Sequence, residues 1–173
     1  MWRRVRAPAA AAVLVFAGGC GGSTPASSLT GFGATVAAWN NAHSKASTYA
    51  GLPAYGPTIS TPQGPSPQFV QVEIQSGRIS QYIEVLPNGT SLAAAKKAAL
   101  ANLPSTAVAK SFVTTTSCSF WNFTSDDVGT ALGSPQIAVE MSYDDSSGSP
   151  YWIPNNVNTL TFQTGRAEST DVC

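Results

Sequence analysis

The chain has 173 residues with nine basic and nine acidic side chains, and charged residues make up only 10% of it. This balanced charge excludes the basic surface by which proteins bind nucleic acids, so we expect no nucleic-acid partner. The low share of charged residues is more typical of exported proteins than of cytosolic ones.

The start of the chain has the order of a secretory signal peptide. Three arginines lie within the first six positions, an uncharged apolar run covers 9–16, and small residues occupy 17–19. The apolar run is shorter than the ~20 residues that a membrane-spanning helix needs. We therefore predict that 1–19 is a signal peptide absent from the mature protein.

A cysteine follows these small residues directly. The run Ala17-Gly18-Gly19-Cys20 resembles the lipobox of bacterial lipoproteins. This resemblance implies that the chain is cleaved before Cys20 and that the sulfur of Cys20 is acylated with fatty acids such as palmitate. The acyl chains would anchor the protein on the extracytoplasmic side of the cell membrane. The Gly- and Ser-rich segment 20–28 would then be a flexible tether. Ordinary secretion, with a cysteine that merely lies nearby, is the alternative.

The remaining 29–173 suffices for one domain with a single core, and we expect a monomer. In an oxidising compartment, its cysteines Cys118 and Cys173 are predicted to form a disulfide bond. That bond would close a loop of about 56 residues and stabilise the fold by roughly 4 kcal/mol. Two free thiols or a metal site are the alternatives. Because a tetrahedral site requires further Cys or His ligands, we predict no metal and no cofactor.

The first predicted element is a helix capped by Thr30, with Phe32, Val36, Trp39 and His43 recurring at helical spacing. Next comes 51–67, which is rich in proline and glycine. These residues disfavour regular structure, so we predict an irregular surface arm there.

The clearest pattern is a β-hairpin over 69–85. Its apolar residues alternate with polar ones on either side of Ser76-Gly77, which favours a two-residue turn. That turn predicts two cross-strand pairs, Ile74 with Ile79 and Val70 with Ile83, with all the aliphatic residues of both strands on one face.

The rest of the chain alternates between helices and strands. A helix over 92–103 is capped by Thr90 or Ser91, and a short helix follows Ser125. Strands are predicted at 107–115, 137–143 and 157–162, with Ile137, Val139, Met141, Leu160 and Phe162 facing inward. This order predicts an α+β domain, a mainly antiparallel sheet of about five strands with helices on one face.

Three stretches carry a second resemblance. In order, "ATVAAWNNAHS", "SGRISQYIEVLPNGTSLAAAKKAAL" and "VGTALGSP" are similar to a group of small secreted proteins and lipoproteins of actinobacteria. The resemblance implies an exported single domain and carries no activity with it.

The sequence offers few candidates for a catalytic base or nucleophile. His43 is the only histidine, and a hydrolytic triad would need it as the base. No Gly-x-Ser-x-Gly or Ser-x-x-Lys motif supplies a nucleophile. A small envelope hydrolase using His43, or Asp144 with Asp145, is therefore an alternative to the non-enzymatic protein that we predict.

A long segment between the last two predicted strands carries the candidate ligand-binding residues Tyr151, Trp152, Asn155 and Asn156. Packing of Trp152 into the core is the alternative. We predict a cell-envelope lipoprotein with a non-catalytic binding or structural domain, whose partner is an envelope protein or a cell-wall glycan. A protein inhibitor or chaperone-like module is a further alternative.

Overall fold

A computed structural model describes residues 29–61, 63–115, 118–143 and 156–168. These ranges contain three helices, namely α1 (Val36–Ala42), α2 (Leu92–Asn102) and α3 (Asp126–Leu132). They also contain eight strands, namely β1 (Lys45–Tyr49), β2 (Leu52–Thr61), β3 (Gly64–Gln75), β4 (Arg78–Val85), β5 (Val108–Thr114), β6 (Cys118–Thr124), β7 (Gln136–Tyr143) and β8 (Val157–Thr164).

All eight strands belong to one antiparallel sheet, in the order β1-β2-β3-β4-β8-β7-β6-β5. An α+β domain with an antiparallel sheet is thus confirmed. The expected number of about five strands is wrong, because the sequence patterns predict no strand at β1, β2 or β6. The last strand, β8, lies between β4 and β7, so it joins the two halves of the sheet.

The prediction of an irregular arm over 51–67 is also wrong, since β2 and the start of β3 occupy it. Pro65 and Pro67 both pair with residues of β2. Pairing of β3 with β4 begins only at Phe69. A proline before that point, with its nitrogen turned away from β2, breaks no hydrogen bond of the sheet.

Helix α1 begins later than predicted. Its N-cap is Thr35, whose side chain accepts a hydrogen bond from the backbone N–H of Ala38 at 3.1 Å. Thr30 therefore does not cap the helix. Gly33 has φ 81°, outside the helical region, and its N–H donates to the carbonyl oxygen of Ile79 in β4 at 2.9 Å. Sheet pairing takes the place of the first predicted helical turns.

The other two helices agree with their sequence signals. The side chain of Ser91 caps α2 and that of Ser125 caps α3. Gly133 ends α3 in the left-handed conformation, which is a common way for a helix to terminate. Local capping residues were sufficient to place both elements.

The β3–β4 hairpin has the predicted register but not the predicted faces. Ile74 pairs with Ile79 and Val70 with Ile83, across a turn at Ser76-Gly77. The register shifts on both sides of Glu73, however, and such irregularities re-aim the side chains that follow them.

As a result, the aliphatic residues of β3 do not share one environment. Val72 lies in the main core, Val70 lies in a separate small cluster with Ala54 and Val85, and Ile74 is 50% exposed.

One main core lies between the helices and the sheet. All three helices contribute to it, through Trp39 of α1, Ala95 and Ala99 of α2, and Val128 of α3. The residues of β7 and β8 that were predicted to face inward are all buried there: Ile137, Val139, Met141, Leu160 and Phe162.

Beyond β8, the chain runs against β6. The side chain of Asn122 holds both backbone groups of Ala167, since Nδ2 donates to the carbonyl oxygen at 2.9 Å and Oδ1 accepts from the N–H at 2.9 Å. Ala167 packs in a small buried cluster with Cys118, Phe120 and Ala138. This contact places Ala167 beside Cys118.

Candidate binding groove

An open cavity of about 300 Å³ lies where β4 ends and β8 begins. We call it the groove. Its lining consists of Tyr49, Thr61 and residues 63–66, Val85, and the pair Asn158 and Thr159. Its volume is at the lower end of the ~300–1,000 Å³ that is usual for small-molecule sites.

The groove depends on a bend in β2. Tyr49 lies beside the start of this strand and Thr61 is its last residue, yet both line the same cavity. A straight strand of ten residues would hold its ends about 30 Å apart. The register shift between Tyr55 and Thr58 places the bend around Gly56, which has φ 78°.

Glycine is needed at this bend for two reasons. A positive φ is costly for residues with a side chain. In addition, a Cβ atom on Gly56 would come within 3.1 Å of the Cβ of Gln68 and of Cδ2 of Phe69. The close approach of β2 to β3 is therefore possible because this position lacks a side chain.

The lining of the groove combines apolar surface with neutral polar groups. The apolar part comes from Tyr49, which is 46% exposed, together with Pro65 and the buried Val85. The polar side chains are hydroxyls and amides, from Thr61, Gln63, Ser66, Asn158 and Thr159. Among these described lining residues there is no Asp, Glu, Lys, Arg or His.

Asn158 is the most informative of these residues. Its backbone carbonyl oxygen accepts a hydrogen bond from the N–H of Leu86 at 2.8 Å, which fixes the start of β8 against the end of β4. Its side-chain Oδ1 is buried and has no hydrogen-bond partner in the described part of the chain. An unpaired buried acceptor costs about 1–3 kcal/mol.

A second cavity, of about 140 Å³, lies between residues 29–31 and 101–105. Its polar side chains are those of Thr30, Asn102 and Ser105. Asn102 is already engaged, because Nδ2 donates to Oε2 of Glu84 at 2.9 Å and to the carbonyl oxygen of Ala98 at 3.2 Å. This cavity is less than half the volume of the groove and has no aromatic residue in its described lining.

His43, the predicted base of the hydrolase alternative, is half-buried at the C-terminal end of α1. Its ring stacks on Trp39 and meets Phe69 edge-on, with centroids 3.9 and 4.6 Å away. Nδ1 donates to the carbonyl oxygen of Trp39 at 3.2 Å. Burial lowers the pKa of His43, and the hydrogen bond to Trp39 opposes this shift in part.

Near this aromatic cluster, β4 carries a buried carboxyl group. Glu84 is 4% exposed, and its oxygens accept hydrogen bonds from Nε2 of Gln68 at 3.1 Å and from Nδ2 of Asn102 at 2.9 Å. Burial raises the pKa of Glu84, and the hydrogen bond from Gln68 offsets part of this increase. The neighbouring Tyr82 is fully buried, which raises its pKa well above 10, with a further contribution from the charge of Glu84.

Most of the site residues predicted from the sequence lie outside the described ranges. Cys20, Cys173, Asp144, Asp145, Tyr151, Trp152 and Asn155 lie outside the described residues. Asn156 is described, lies directly before β8 and is half-buried; the described lining of the groove includes Asn158 and Thr159 instead.

Cys118 is fully buried at the start of β6, and its backbone N–H donates to Oγ1 of Thr115 at 3.2 Å. It is a disulfide-bonded cysteine whose partner lies outside the described residues. Pairing with Cys173 therefore stays a prediction.

Sequence patterns alone missed the groove. Gly51 after Tyr49 indicates a turn, but it adjoins the proline-rich segment, so the sequence does not distinguish a hairpin turn there from the start of an irregular segment. Nothing local marks Pro65 or Asn158 as neighbours of Tyr49, because they meet only through the bend in β2.

Within the four described ranges, no group of three or more His, Cys, Asp or Glu side chains is placed to hold a metal ion. No helix of those ranges is long and apolar enough to cross a bilayer. No family model, curated protein or solved structure matches this chain.

Proposed function

We propose that this protein is a lipid-anchored binding domain of the cell envelope, non-catalytic and monomeric, which holds an envelope component in the groove. The groove itself carries this proposal. It gathers residues from five strands, β1, β2, β3, β4 and β8, and combines neutral hydrogen-bonding groups with an exposed aromatic residue, a composition that is usual for a small-ligand site.

The position of His43 supports binding in preference to hydrolysis. A general base needs a free ring nitrogen within hydrogen-bond reach of the proton that it removes. Here Nδ1 donates to a backbone carbonyl oxygen, which leaves Nε2 as the free nitrogen, but the ring stacks on Trp39 and meets Phe69 edge-on, and no hydrogen bond among the described residues joins Nε2 to a nucleophile. His43 does not line the groove as described.

The anchor is proposed from the leader and from Cys20. Its test is the intact mass of the protein taken from the membrane fraction of its native host. We expect a chain that begins at Cys20 and carries the added mass of acyl chains. A full-length, unmodified chain found in the cytosol would contradict the proposal.

Binding is tested by cosedimentation with insoluble cell wall in detergent, which dissolves the bilayer and so removes any contribution of the lipid anchor. We expect the unaltered protein to sediment with the wall and Tyr49→Ala to stay in the supernatant.

Leu52→Ala is the matched control. Leu52 pairs with Tyr49 across the β1–β2 turn and is 40% exposed, but it is not part of the groove lining described above. It should sediment like the unaltered protein. Equal sedimentation of all three proteins, or of none, would rule out the groove as the binding site.

A further inference from the structure

We propose that the ligand of the groove is a neutral saccharide, and that Tyr49 is the surface on which its ring packs. This inference rests on the proposed function and specifies the ligand class of that site. Three features of the groove lead to it: its exposed aromatic ring, its neutral polar side chains and its size.

Tyr49 supplies the aromatic surface. It lies at the end of β1 with 46% of its surface exposed, and it shares the groove with Pro65 and Val85. One face of a pyranose ring presents mainly C–H groups, which can pack on an aromatic ring. The hydroxyl of a tyrosine can in addition form hydrogen bonds with the sugar hydroxyls or with water. An exposed tyrosine beside two apolar side chains is a suitable platform for such a face.

The polar groups suit the hydroxyls of the same ligand. Ser66 and Thr159 each offer a hydroxyl that donates and accepts, and the amide of Asn158 offers both kinds of group. Oδ1 of Asn158 has no partner in the described part of the chain. The amide torsion of asparagine is broad, so a modest rotation pairs this oxygen with a ligand O–H donor.

The charge of the lining selects a neutral sugar. No described residue of the groove is acidic, basic or a histidine. A uronic acid or an amino sugar would have to lose hydration without gaining an ion pair, which is unfavourable. The groove therefore discriminates against charged saccharides.

Size separates a sugar from a protein partner. A cavity of about 300 Å³ holds a small ligand or the end of a chain. Stable protein partners instead cover about 800 Å² on each side, mostly on flatter surfaces.

The test uses the ¹⁵N-labelled protein in a detergent whose head group is not a sugar. Maltose, cellobiose, trehalose and N,N′-diacetylchitobiose are titrated to about 20 mM, a range that reaches the weak affinities expected of one small site. Glucuronic acid and glucosamine are the charged comparators. We expect saturable shifts of the amide signals of Tyr49, Ser66 and Thr159 with at least one neutral sugar and none with the charged ones.

Three variants locate the contact. Tyr49→Ala should weaken binding about tenfold or more, as is usual when a central aromatic contact is truncated. Tyr49→Phe keeps the ring and should bind within about threefold of the unaltered protein, which corresponds to less than 1 kcal/mol. Leu52→Ala should bind normally. An unchanged spectrum for residues outside the groove shows that each variant is folded.

The outcomes separate this inference from the proposed function. If cosedimentation with cell wall depends on Tyr49 but no neutral sugar causes saturable shifts, the ligand is another envelope component and the saccharide inference fails alone. Shifts of equal size with the charged sugars, or shifts that Tyr49→Ala leaves intact, also overturn it. If cosedimentation does not depend on Tyr49, the proposed function fails as well.

Discussion

The imidazole of His43 stacks on the indole of Trp39, with ring centroids 3.9 Å apart and an interplanar angle of 28°. This contact links the end of α1 to the aromatic core, because Trp39 is fully buried and also meets Tyr55, Phe69 and Tyr82. The histidine that sequence alone offered as a possible base thus contributes to packing.

The first prediction concerns pH. Burial lowers the pKa of His43 below 6.5 in the folded protein, so between the two pKa values the unfolded chain binds more protons. The contribution of His43 to the free energy of unfolding should therefore fall as the pH drops below about 6.5, by at most about 1.4 kcal/mol per pH unit for one group. Urea unfolding of the unaltered protein and of His43→Phe at pH 7.5, 6.5 and 5.5 measures this contribution as the difference between the two proteins, in which the opposite effect of Glu84 cancels. The difference should fall towards pH 5.5, and a constant difference would exclude the proposed role of His43.

The second prediction compares two tyrosine hydroxyls. The Tyr82 hydroxyl is buried without a hydrogen-bond partner among the described residues, whereas that of Tyr143 lies 2.6 Å from Oγ of Ser119. Tyr82→Phe should leave the free energy of unfolding unchanged or raise it by up to about 1 kcal/mol, while Tyr143→Phe should lower it by about 1 kcal/mol. Denaturant unfolding of both variants tests this. The reverse order would mean that Tyr82 has a partner.

The third prediction tests the bend in β2. Gly56→Ala should lower the free energy of unfolding by about 2–3 kcal/mol, because it combines a positive φ with close contacts to β3. Gly51 is the matched control, since its φ is 82° but a Cβ there would meet nothing within 4 Å. Gly51→Ala should cost only about 1 kcal/mol. Equal losses in thermal or urea unfolding would show that β3 does not crowd position 56.

The fourth prediction concerns Glu84. Burial raises its pKa above 4.5 in the folded protein, so its ionisation is disfavoured there relative to the unfolded chain. Its contribution to stability is fully present below the unfolded pKa and is lost as the pH rises through the folded pKa. The free energy of unfolding of the unaltered protein, minus that of Glu84→Gln, should therefore fall between about pH 4 and pH 7. A difference that stays constant over this range would contradict the raised pKa.

The fifth prediction concerns the pairing of Cys118. Ala167 packs with Cys118 and is held by Asn122, and the six residues that lead on to Cys173 reach at most about 20 Å. We expect Cys173→Ser to lower the free energy of unfolding by about 2–4 kcal/mol under oxidising conditions and to have little effect after reduction. Cys20→Ser is the control and should not change stability. If Cys20→Ser lowered the free energy of unfolding and Cys173→Ser did not, Cys118 would be paired with Cys20.

The sequence by itself determined those elements whose signals are local. Ser91 and Ser125 cap their helices, and Ser76-Gly77 makes the tight turn that sets the register of β3 against β4. A cap or a two-residue turn is decided by hydrogen bonds within a few residues of the chain, so it can be recognised without knowing the rest of the fold. The inward faces of β7 and β8 follow from alternation in the same way.

Only the tertiary structure decided the rest. Residues 52–61 and 64–67 form strands because β2 and β3 pair with each other and with their neighbours, which offsets the poor strand propensity of proline and glycine. Irregularities in register redirected Val70 and Val72 to different clusters. The groove exists because a bend at Gly56 brings Tyr49 to the start of β8. Contacts between residues more than a hundred positions apart leave no local pattern, so they appear only once the sheet is assembled.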